Sequence, residues 1–153
     1  MKKFRFRLDT LLKFRKMQEE QAQIKLAEAT TRLNKEHEQL GIFQNQLASN
    51  LTLLSQKQSS GSSTIETLKT FSYYIDKIKR LISEQKIQVA KAAGYQQECL
   101  TELEGAIQQR KLVSNLQKKC LDQYNEELLQ EEQKILDELG TQAFVRSKER
   151  GLK

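Results

Sequence analysis

The 153-residue chain has no proline and no tryptophan. Without proline, nothing in it obliges a helix to kink or stop. Six phenylalanines and four tyrosines are the only aromatic residues, and hydrophobic residues make up 37% of the chain. That is too little to fill a three-dimensional core, yet enough for a narrow stripe between two helices. No apolar run approaches the roughly 20 residues that cross a bilayer. The basic N-terminus lacks the apolar core and small-residue cleavage site of a secretory signal, so it reads as the start of a helical rod. One histidine, His37, stands between Glu36 and Glu38, a setting expected at a solvated rim. Two cysteines, Cys99 and Cys120, lie too far apart on one helix for a disulfide and are expected as reduced thiols near a seam, as in a cytoplasmic compartment. With no second histidine and no clustered thiols, a metal site is not expected, and no cofactor is. Neither GxGxxG nor a Walker-type GK[ST] sequence occurs, and acidic pairs such as Glu131-Glu132 read as a solvated face. An enzyme is not expected.

What the chain does have is period seven. Leu26, Leu33, Leu40, Leu47 and Leu54 precede the one serine-glycine cluster, Ser59-Ser60-Gly61-Ser62-Ser63. Leu68, Ile75, Ile82 and Val89 follow it. Residue numbers of mirrored pairs, such as Leu47 with Ile75, sum to 122. A chain folded back near Gly61 places each pair at one level, which predicts an all-α fold, a long two-helix antiparallel coiled-coil hairpin. The expected single domain, 1–153, has helix one over about 8–57, a turn at 58–63, helix two over about 65–139 and a tail from 140 to 153. Ser63 or Thr64 is suited to cap helix two, and Gly140 to end it.

Between Val89 and Leu100 the spacing is eleven residues; Ile107, Ser114, Leu121, Leu128 and Ile135 then resume the step of seven. This reads as a four-residue stutter. Ala90, Ala92, Ala93 and Gly94 would then face Ala27, Glu28 and Ala29 at a close-packed waist. Beyond about residue 115, helix two has no mirrored partner, yet Leu116, Leu121, Leu128, Ile135 and Leu139 keep an apolar stripe, widened by Leu129 and Leu136. Such a stripe needs a cover: residues 1–12 bent back, a second copy, or another protein.

The net charge is +6. Residues 1–16 carry +6, residues 146–153 carry +3, and the stretch between them −3. A nucleic-acid-binding rod would more often carry a basic stripe along its length. Here the positive charge gathers at the end where a hairpin brings both termini. That end suits an acidic opening in a protein assembly, a lipid surface or electrostatic contact with nucleic acid.

The start, Phe4-Arg5-Phe6-Arg7-Leu8 with Leu11-Leu12, Arg15, Glu19-Glu20 and Leu26-Ala27-Glu28-Ala29, resembles that of FliJ-type flagellar export proteins. Lys134-Ile135-Leu136-Asp137-Glu138, Phe144 and Arg146 resemble the ending. The likeness implies a cytoplasmic hairpin similar to the central stalk of rotary ATPases, lying against the inner face of the membrane at the flagellar base through its partners only. Those implied partners are the hexameric flagellar export ATPase, the cytoplasmic domain of the export gate and export chaperones, with no nucleic acid. The implied ATPase end comprises Phe4, Arg5, Arg7, Leu8, Leu11, Leu12, Arg15, Leu121, Tyr124, Leu128, Ile135, Leu139, Phe144 and Arg146. The implied gate patch is Gln39, Phe43, Gln46, Tyr74, Ile78 and Leu81, of which Gln46 and Leu81 depart from the residue types usual there. Phe43 and Ile78 also read simply as seam residues. Alternatives are a self-associating coiled-coil scaffold, the equivalent stalk of a virulence-type secretion system and a membrane-surface adaptor.

Overall fold

The computed structural model describes residues 3–151. Among them, two helices account for the regular structure: α1, Asp9–Ser59, and α2, Ile65–Arg150. The chain divides into two compact units. Unit one contains the segment up to Met17 and the segment from Ile107 onward; unit two runs from Gln18 to Ala106.

Unit two is an antiparallel helical hairpin. Its turn rests on Gly61, the one described residue with a left-handed backbone, at φ 64°. A side chain at that φ would be strained, so glycine closes the turn. The serines around it bond locally: Ser59 Oγ donates to Gln56 O (2.9 Å), and Ser63 Oγ reaches Lys57 O (3.0 Å). Thr64, rather than Ser63, caps α2. Its Oγ1 accepts from Thr67 N at 3.4 Å and meets Thr67 Oγ1 at 2.7 Å. Lys57 closes this end by lying over the Phe71 ring, 4.7 Å from its centroid.

Towards the turn the seam is aliphatic. Ile75, Ile78 and Ile82 are buried, with Leu40, Phe43, Leu47 and Leu54 half-buried on α1. Further along, the seam becomes polar and small. Gln85, buried, donates from Nε2 to both the backbone oxygen (3.0 Å) and Oε2 (2.5 Å) of Glu36. Ala29 and Ala92 are buried, Gln96 Nε2 donates to Thr30 Oγ1 (3.0 Å), and Cys99 is 1% exposed. Lys25 pairs with Glu102 at 2.8 Å on the flank. Among the described residues, no buried side-chain nitrogen or oxygen lacks a partner.

The expected stutter is absent. Covered residues on α2 keep alternating steps of three and four through Val89, Ala92, Gln96, Cys99 and Leu103, with Leu100 exposed. The helix continues its 3.5-residue pattern and accepts alanine, glutamine and cysteine at the seam. The nearest leucines lie one position away. A two-helix seam is covered only partly, so a glutamine whose amide is bonded costs little there. The waist is correspondingly narrower than the alanine cluster implied. Ala29 and Ala92 enter it, whereas Ala27, Glu28, Ala90, Ala93 and Gly94 are exposed.

Unit one pairs the start of α1 with the later part of α2. Leu12 is buried, and Arg15 Nη1 donates to Gln109 Oε1 at 2.5 Å. Asp9 is the first helical residue and pairs with Lys13 at 2.8 Å. Residues 3–6 carry no regular secondary structure and precede α1, whose first residue is Asp9. The other end also differs. α2 continues through Gly140 to Arg150, where an end at Leu139 was expected. A helical glycine costs only about 1 kcal/mol against alanine, and Thr141 to Arg150 are acceptable helix residues. Gly151 follows the last turn, its N bonded to Ser147 O at 3.2 Å, with Lys148 and Arg150 placed favourably for the helix dipole.

Candidate functional site: the exposed apolar end of unit one

All the residues implied for an ATPase-binding end fall in unit one, and all those implied for a gate patch fall in unit two. Their accessibilities differ in ways that matter. In unit one, Leu12 is part of the packing between helices and is unavailable to a partner. Leu11, Arg15, Tyr124 and Leu128 are half-buried, whereas Arg5, Arg7, Leu8, Leu121, Ile135, Leu139, Phe144 and Arg146 are exposed.

The basic N-terminal segment lies along α2. Lys3 and Arg5 are exposed while Phe4 and Phe6 are half-buried, a period of two that turns both rings to one side. The Phe4 ring meets Tyr124 with centroids 5.6 Å apart and planes at 50°. The mirror rule alone would set a helical Phe4 against Lys118. Outside a helix the segment advances further per residue than a helix does, and a turn at Arg7–Leu8, closed by Asp9 N donating to Phe6 O, leads it to Tyr124 instead. The segment thus covers part of the stripe that helix pairing leaves open.

From Glu131 to Arg150 every residue is exposed. Leu128, Ile135 and Leu139 fall on one line of the helix, and Leu129 and Leu136 lie about 100° round from it. Ile135 is 57% and Leu139 56% exposed. Leu129, Leu136 and Val145 belong to this open apolar end but were not among the residues implied by family resemblance. The first two were visible as a widening of the stripe; Val145 lies three heptads beyond Tyr124 in the unshifted register, but Glu131 and Glu138 fill the positions between and hide it.

In unit two, Gln39, Gln46 and Tyr74 are exposed, and Phe43 and Leu81 half-buried. Ile78 is 2% exposed and sits in the seam, so it offers no surface to a partner. His37 lies on the exposed rim. Cys99 and Cys120 are both free thiols. Lys25 is held above its ordinary pKa by its hydrogen bond to Glu102. The Tyr95 hydroxyl is raised by hydrogen bonding with Cys99. Neither pair lies in an enclosed cavity, and both stabilise the hairpin flank. Among the described residues no three His, Cys, Asp or Glu side chains gather as a metal site, and no helix is long and apolar enough to cross a membrane.

The sequence profile of the family described as "Flagellar FliJ protein" matches residues 4–149. The chain belongs to the flagellar FliJ family. No individual curated protein matches it in sequence. Among solved structures, a YscO homolog from Chlamydia trachomatis superposes with a TM-score of 0.56 at 19% identity. The match covers 96% of the present chain and 99% of the chlamydial one. That likeness is one of fold, a pair of long helices packed against each other. Membership of the FliJ family makes the chain a stalk-like component of a type III export system.

Proposed function

We propose that this FliJ-family chain is a non-catalytic coupling protein of the flagellar export apparatus. It binds the hexameric export ATPase through unit one and the cytoplasmic domain of the export gate through Gln39, Phe43, Gln46, Tyr74 and Leu81 of unit two. It also escorts export chaperones. On this reading it works in the cytoplasm, against the inner face of the membrane at the flagellar base, and reaches the membrane through its partners only.

The observation that carries this reading is the uncovered apolar face of α2 beyond Leu128. Fully burying a leucine or isoleucine is worth about 1.5–3 kcal/mol, so even partial covering of Ile135, Leu136 and Leu139 can hold a partner. The face is flanked by Glu131, Glu132, Asp137 and Glu138 with Lys134, and by Arg146 beyond them, which favours a polar rim of mixed charge, chiefly basic, on that partner. The flagellar family match supports an export ATPase over the virulence-type equivalent.

Paired substitutions Ile135→Asp and Leu139→Asp test it. They lie on an exposed helix, so helicity should persist by circular dichroism while binding to the export ATPase and stimulation of its hydrolysis are lost. Unchanged stimulation would remove this face from the contact. A wild-type protein that sediments as a stable dimer with this face protected would favour the self-associating scaffold instead.

A further inference from the structure

We infer that residues Lys3–Leu8 form a detachable strap that competes with the partner for the stripe on α2. The strap has its own seat. Lys3, Phe4 and Arg5 share a groove of about 1010 Å³ with Cys120, Tyr124, Glu127, Leu128 and Glu131 of α2. Arg5, Phe6, Arg7 and Leu8 line a second groove with Leu116 and Cys120. The strap therefore runs over Cys120 and beside Tyr124 and Leu128, the inner edge of the apolar face proposed to meet the ATPase.

Three features make this seat reversible. Residues 3–6 have no regular secondary structure, and the backbone is anchored from Phe6 onward, whose carbonyl accepts from Asp9 N at 3.2 Å. The seat includes one ring contact, Phe4 on Tyr124, with Phe6 half-buried beside Leu116 and Cys120. Charge adds to it: Lys3 and Arg5 share the groove with Glu127 and Glu131, and such exposed attraction is screened by salt. A partner that covers Tyr124 and Leu128 must displace Phe4. The strap is thus an internal stand-in that keeps the inner stripe covered until the partner arrives. Its role as a competitor rests on the ATPase-binding reading; its existence as a cover does not.

Cys120 reports the strap directly, and buried Cys99 is an internal control. In the full-length protein, a maleimide should modify Cys120 slowly and Cys99 hardly at all. Phe4→Ala should speed Cys120 modification roughly fivefold, the equivalent of one lost aromatic contact, and raised salt should speed it in the wild type. Phe4→Tyr should label like the wild type. Equal rates for wild type and Phe4→Ala at low and high salt would overturn the strap. In a second arm, Phe4→Cys is joined to Cys120 by a short bis-maleimide, which locks the strap down. The locked protein should bind the export ATPase at least tenfold more weakly than the same variant unlinked. Equal binding of the two would overturn the competition. If the wild type and Phe4→Ala both fail to bind the ATPase, the partner reading falls, and with it the competition, while the labelling rates still decide the cover.

Discussion

Replacing Gln85 with alanine should weaken the hairpin by about 1–2 kcal/mol, and the reason lies in one polar layer of the seam. The Gln85 amide gives one bond to a neutral backbone oxygen and one to a carboxylate of Glu36. A neutral hydrogen bond contributes about 0.5–1.5 kcal/mol net and one to a charged group about 1.5–3 kcal/mol. The Glu36 backbone oxygen lies inside α1, and half-buried Glu36 can turn its carboxylate to water. Both considerations bring the loss to or below the low end of the sum, about 2 kcal/mol. Gln85→Leu behaves differently. It adds an apolar side chain in line with Ile82 and Val89, so stability should stay within about 1 kcal/mol of wild type. The polar layer's contribution then shows as register, since a bonded polar pair penalises a slipped seam. Urea unfolding followed at 222 nm measures the first effect. A double-mutant cycle with Glu36→Ala isolates the pair and should return a coupling of about 1 kcal/mol. A coupling near zero, with Gln85→Ala as stable as wild type, would refute the claim that this layer holds the helices together.

Three further outcomes are expected. Gly140→Ala should stabilise the end of α2 by about 0.5–1 kcal/mol, because nothing lies within 4 Å of the added methyl group; thermal melting detects it, and a loss would show that Gly140 is not plainly helical. Alkaline pH should weaken unit two. Lys25 is raised above 10.5 by Glu102 and Tyr95 above 10.0 by Cys99, so each favours its protonated form in the fold. Their contributions are therefore complete below the unfolded values and are lost as pH climbs through the raised ones. Melting temperature should be flat to about pH 9.5 and fall above it, and Lys25→Met should flatten that fall. Cysteines introduced by Leu47→Cys and Ile75→Cys should cross-link within one chain at dilute concentration. Products joining two chains through position 47 would instead signal a parallel dimer.

The aliphatic half of unit two was legible because leucine and isoleucine at period seven leave one arrangement that buries them. The later seam was not. Leu100, Leu121 and Ile135 continue the period from a shifted origin, so the leucines pointed to a stutter, while Ala92, Gln96 and Cys99 held the original register. The site was legible as a surplus: α2 has more apolar residues than α1 can cover. Which residues of that surplus stay open was not legible, because Phe4 reaches Tyr124 only if the segment before Leu8 abandons the helix.

By itself, the sequence determined two antiparallel helices, a glycine turn and an unpaired end, since these follow from spacing, from the demand for a positive φ and from counting. Tertiary structure alone decided the Gln85–Glu36 layer and the strap over Cys120. Each depends on what stands opposite a residue, and periodicity along one helix records only the direction in which that residue points.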